Sequence, residues 1–134
     1  MQACRHPDAA SEICRAITNH FPDTPDLLWI WQRQARSEVI MKKYEMVDES
    51  VQKMQAYSAH PQYGEALSWT AYECCKAGYY QKAIDLGQMV LNQKGSMEDQ
   101  IRCLASQARA YARLDQEDKT QANIEMLLSQ YGKE

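Results

Sequence analysis

Three sets of residues recur along this chain at one spacing. Trp31, Leu67 and Leu104 stand 36 and 37 residues apart, and so do Ala35, Ala71 and Ala108, and Met54, Val90 and Leu127. Each set keeps its residue character, and each lies inside a helical pattern of apolar positions. A supersecondary unit repeating with this period is the mark of a solenoid, because one such unit cannot bury its own apolar face and must stack on its neighbours. Stacked units present an extended surface and not a deep catalytic pocket. The repeat therefore constrains both the architecture and the kind of work the chain does.

Composition agrees with helices. A chain of 134 residues with 45% hydrophobic and 25% charged residues is a single-domain length of ordinary globular make-up. With only 5 Gly, 4 Pro and almost no β-branched runs, helix is favoured over sheet. No apolar run is long enough to span a bilayer. The segment Met1–His6 lacks the apolar stretch of a signal peptide, although a leader already cleaved would leave no trace. The net charge of -3 lacks the strong basic excess of a nucleic-acid binder. Cys4, Cys14, Cys74, Cys75 and Cys103 are odd in number and irregular in spacing, which argues against a disulfide framework. Reduced thiols at core spacing, such as Cys14 and Cys74, favour the cytoplasm, with the periplasm open if a signal was removed.

Periodicity and capping residues predict seven helices. The first spans about 7–21, with Ala10, Ile13, Cys14, Ile17 and Phe21 as its stripe. Thr24 and Pro25 suit the start of the second, which ends near Met41 before Lys42 and Lys43. The third runs from about Tyr44 to Tyr57. His60-Pro61 marks a boundary, because a residue preceding proline avoids the helical region. The fourth covers about Gln62 to Ala77, with Gly78 as a left-handed cap, and the fifth about Tyr80 to Gln93. Ser96 caps the sixth with Asp99 three residues on. Asp115–Asp118 reads as a polar turn before a last helix carrying Ile124, Leu127, Leu128 and Tyr131. Short loops make consecutive helices antiparallel neighbours, in one unit without a linker.

The stretch from Leu67 through Ala71, Cys74, Gly78, Tyr80 and Ala83 to Ile84 resembles the tetratricopeptide repeat in its order of large residue, small residue, large residue, glycine, aromatic and alanine. Large residues fill the space between helices, small ones let helices cross closely, and the glycine permits the reversal. The same frame takes in Trp31, Ala35, Tyr44 and Val47, and then Leu104, Ala108 and Tyr111, with Asp115 in place of the glycine. Periods of 36 and 37 depart from the family's 34. The resemblance implies an all-α right-handed superhelix of antiparallel helix pairs, with a half repeat over 7–22 and repeats over about 25–58, 62–94 and 97–131.

It also implies a concave groove lined by the first helix of each pair. Carried onto this chain, the groove positions are Gln32, Arg36 and Val39, then Ser68, Tyr72, Cys75 and Lys76, then Arg102, Ala105, Arg109 and Arg113. Five are cationic, and Arg presents a planar donor fork to carboxylates. The expected partner is a peptide or protein segment of acidic character, although the same arginines are equally served by solvent or by Glu73 and Glu98. Where the family's chaperone-tail binders carry a carboxylate clamp, this chain has Gln32, Arg36, Trp69, Arg102 and Ser106, so only basic character survives and that partner is not expected. Trp29 is a further candidate anchor if exposed.

Catalysis has no foothold in the sequence. His6, His20 and His60 fall at helix ends or loops, and with Cys4 and Cys14 they lack any zinc spacing. No phosphate loop, His-Glu-x-x-His or nucleophile motif appears. The expectation is a binding module without cofactor, metal, nucleic acid or membrane insertion. The alternative is a structural or self-association segment of a larger protein, pairing as a homo-oligomer through uncapped end helices.

Overall fold

The computed structural model describes residues 27–131, together with helical residues 12, 13, 16 and 17. Most of the half repeat, the Thr24-Pro25 cap, Cys4, Cys14, His6 and His20 lie outside the described residues. Ile13, expected on an apolar stripe, is exposed. Six helices follow: α1 Leu27–Ile40, α2 Tyr44–Gln55, α3 Tyr63–Ala77, α4 Tyr80–Asn92, α5 Met97–Arg113 and α6 Glu117–Tyr131. The described residues contain no strand, so the all-α expectation holds. The chain forms two compact units, Met1–Ala66 and Leu67–Glu134.

The repeat is written into the backbone at the helix ends. Lys42, Gly78 and Asp115 all take positive φ, at 59, 95 and 58°, and their spacing is that of the sequence repeat. Each closes its helix in the same way. The amides of Lys42, Gly78 and Asp115 donate to the carbonyls of Val39, Cys75 and Ala112, and the next amides, of Lys43, Tyr79 and Gln116, reach back to Glu38, Cys74 and Tyr111 at 2.8, 2.8 and 2.9 Å. This is the Schellman pairing, which satisfies carbonyls left open at a helix end. Glycine adopts the left-handed conformation freely, whereas Lys42 and Asp115 hold it against a steric cost. At the other end of α5, the Ser96 hydroxyl accepts from the Asp99 amide at 3.1 Å, as the cap predicts.

In the first unit α1 packs on α2. Leu27, Leu28, Ala35 and Val39 are buried on one helix, Val47, Val51 and Met54 on the other. The side chain of Glu38 is fully buried among them. Its carboxylate accepts from Gln34 Nε2 at 2.9 Å and from the Ser50 hydroxyl at 2.6 Å, tying α1 to α2. A buried carboxylate is tolerated only with such donors. Trp31, expected in the core, is half-buried. Trp29 is also half-buried, its indole N–H donating to Gln62 Oε1 at 2.7 Å.

In the second unit α4 packs on α5 and α5 on α6. Leu67, Ala71, Cys74, Ala83, Leu86, Val90 and Leu104 are buried. A polar ladder crosses three helices. Gln107 Nε2 donates to the Ile84 carbonyl at 3.0 Å, and Asn123 Nδ2 donates to Gln107 Oε1 at 3.1 Å. Gly87 makes room for that glutamine: a Cβ there would sit 3.1 Å from Gln107 Cγ.

Candidate functional site

The predicted groove residues fall in both units. Gln32 and Arg36 belong to the first, where Gln32 is buried and Arg36 half-buried. Those of the second unit come together on α3 and α5. Trp69, Tyr72 and Lys76 share one face of α3, by their spacing of three and four. Arg102, Ala105, Arg109 and Arg113 form the matching stripe of α5. Ser68 is fully buried, so it offers no surface to a partner and serves instead as an acceptor for Arg102, at 2.7 Å.

The five cations of the sequence reading are therefore not equivalent. Arg102 is engaged. Besides Ser68 it donates to Asp99 at 3.1 Å, and its guanidinium carbon lies 4.0 Å from the centre of the Trp69 ring. Trp69, itself 38% exposed, meets Tyr72 edge-on at 5.7 Å, and Lys76 Nζ stands 5.9 Å from the Tyr72 ring. Charge over an aromatic face is an attractive arrangement, worth about 0.5–1 kcal/mol at exposed sites. Arg109 and Arg113 are exposed, and among the described residues no carboxylate pairs with either.

Between these side chains lies a concavity of about 240 Å³, lined by Tyr72, Cys75, Arg102, Ala105, Ser106 and Arg109. Its floor is closed by the Cys75 thiol, which donates to the Ser106 carbonyl at 3.4 Å. Burial pushes that thiol up from its usual range, and Arg109 and Arg113 pull it the other way, so both guanidiniums act over the floor. Cys103, next to Arg102 in sequence, is held as a neutral thiol. Burial raises it to about 12, Asp99 adds to the shift, and Arg102 opposes it. Neither thiol has the depressed pKa of a nucleophile.

The role of Trp69 and the locking of Arg102 escape a motif-based reading. Their signals are present nonetheless: Trp69 is one turn from Tyr72 on α3, and Asp99 is three residues before Arg102 on α5. Among the described residues no group of three or more His, Cys, Asp or Glu is placed to hold a metal ion, and no helix is long and apolar enough to cross a membrane. No family model matches the chain, and neither a curated protein nor a solved structure is found similar to it.

Proposed function

We propose that this chain is a helical-repeat binding module of tetratricopeptide-like type, and that it holds a peptide or protein segment against the α3–α5 face of its second unit. The observation that carries this reading is the pair of exposed arginines, Arg109 and Arg113, with which no carboxylate pairs among the described residues, beside a small concavity walled by an aromatic ring. Rigid aromatic surface and Arg are the residue types that dominate protein interfaces. Their setting on two helices fixes the backbone that presents them, so only side-chain freedom is lost on binding. The mechanism is surface complementarity, with no bond made or broken.

The test is selection of a random displayed peptide library on the full chain. Amide shifts on binding are followed by NMR, with Arg109→Glu and Arg113→Glu as controls. Selected peptides that shift Tyr72, Ala105 and Arg109 and release on charge reversal support the reading. Selected peptides that shift only residues elsewhere refute it.

A second reading, self-association, draws on α6, where Ile124 is 39% and Leu128 65% exposed, one turn apart. Sedimentation separates the two. Loss of a dimer on Leu128→Gln, with no peptide binding, favours assembly.

A further inference from the structure

The shape and charge of the α3–α5 face restrict what fits it. This inference rests on the binding-module reading and narrows it. The concavity has short apolar walls, from Ala105, the Cys75 thiol and the ring of Tyr72, which receive a branched aliphatic side chain, while Arg102 and Arg109 complete its lining and exclude a cationic one. Arg102 flanks the opening with its charge already answered by Asp99. The charge that no carboxylate pairs among the described residues lies at Arg109, on the edge of the concavity, and at Arg113 one turn further along α5.

The distance between the two features sets a register. From the level of Ala105 and Ser106 to the midpoint of Arg109 and Arg113 is about 8 Å along a helix rising 1.5 Å per residue. An extended chain covers about 6.6 Å in two residues, and residues two apart point to the same side. We propose that the occupant is an extended protein segment that seats an aliphatic side chain between Tyr72 and Ala105 and, two residues further on, places a carboxylate between Arg109 and Arg113. The fork of each guanidinium suits a carboxylate, and the two forks approach it from one side.

The probe is a fluorescein-labelled Gly/Ser peptide with one leucine and, two positions on, a pair of glutamates. Comparison peptides carry glutamine or lysine for the glutamates, or serine for the leucine, and labelled oligothymidylate tests for nucleic acid. Anisotropy on the full chain is paired with NMR of the labelled protein. The glutamate peptide should bind about tenfold more tightly than the glutamine peptide, and the serine peptide should lose a similar factor. The double variant Arg109→Glu/Arg113→Glu should lose the glutamate peptide and gain the lysine peptide, a swap that misfolding cannot imitate.

Equal binding of glutamate and glutamine peptides, with shifts at Tyr72 and Ala105, would overturn the acidic preference and leave the binding-module reading standing. Tighter binding of oligothymidylate through the same arginines would overturn the inference in favour of nucleic acid. Should no peptide of any charge shift those amides, both the inference and the reading beneath it fall.

Discussion

Alanine at Gly87 should destabilise the second unit, although helix propensity predicts the reverse. Gly87 lies within α4, where alanine is favoured over glycine by about 1 kcal/mol. Against that gain stands Gln107. A Cβ at position 87 would lie 3.1, 3.3 and 3.4 Å from its Cγ, Nε2 and Cδ atoms. A flexible glutamine would step aside, but this one is 2% exposed and held at both ends of its amide. Its nitrogen donates to Ile84 and its oxygen accepts from Asn123. Moving it breaks at least one of these bonds and leaves a buried polar atom unpaired, a cost of about 1–3 kcal/mol, with overpacking adding about 1 kcal/mol more. The net loss is about 1–3 kcal/mol, or roughly 5–10 °C in melting temperature at the middle of that range. Denaturation followed by far-UV circular dichroism measures it. The decisive comparison is a double-mutant cycle. With Gln107→Ala the obstruction is gone, so Gly87→Ala should there be neutral or stabilising, with a coupling of about 2–4 kcal/mol. If Gly87→Ala stabilises the native chain, or acts equally in both backgrounds, the close approach of α4 and α5 through Gln107 is wrong.

The left-handed helix ends predict substitutions of opposite sign. Nothing lies within 4 Å of a Cβ built on Gly78, so Gly78→Ala should cost only the conformational penalty of its φ of 95°, about 1–2 kcal/mol, and Asp115→Gly should gain up to about 1 kcal/mol, both read by urea denaturation. Cys103 predicts an alkaline dependence. Its thiol titrates near 9.0 when unfolded and near 12 when folded. The folded state therefore keeps a proton that the unfolded state has released, and stability falls as pH rises through that window, by at most about 1.4 kcal/mol per unit. Denaturation at a series of pH values should show this slope in the native chain and a smaller one in Cys103→Ala.

The all-helical fold was open to reading from sequence because apolar residues recur at helical spacing between short polar turns. Gly78 announced its turn, and Ser96 with Asp99 announced a cap, since both act through local backbone geometry. Lys42 gave no comparable signal: a lysine at a helix end reads as a cation near the dipole, yet it holds the same left-handed position as Gly78. Asp115–Asp118 looked like a turn from its polarity, whereas α6 already begins at Glu117, where acidic residues favour a first turn. Gly87 and Gln107 were silent, because a glycine within a helix and a polar residue beside an apolar stripe acquire meaning only when a second helix is laid against them. The site divided in the same way. Its stripe on α5 followed from helical spacing, but the difference between a locked Arg102 and an open Arg109 depends on Ser68, which is 34 residues from Arg102.

The orientation of α5 links the fold to the proposed surface. Gln107 and Arg109 lie about 200° apart around a helix advancing 100° per residue, so fixing one side of α5 aims the other. Gln107 is bonded to Ile84 on α4 and Asn123 on α6, while the Ser106 carbonyl receives the Cys75 thiol from α3. Rotation of α5 is thus resisted from three helices, and the arginine stripe is held toward α3. Within the stripe Arg102 adds to that hold through Ser68 and Trp69, whereas Arg109 and Arg113 are exposed. Arg109 and Arg113 form a like-charged pair one turn apart, which disfavours a helix by about 0.2–0.5 kcal/mol. A chain shaped for stability alone would be improved by a glutamate at position 109, which would pair with Arg113 in the last turn of α5. The fold therefore carries two adjacent cations at a small loss, and an anion seated between them would relieve the repulsion that the empty surface retains.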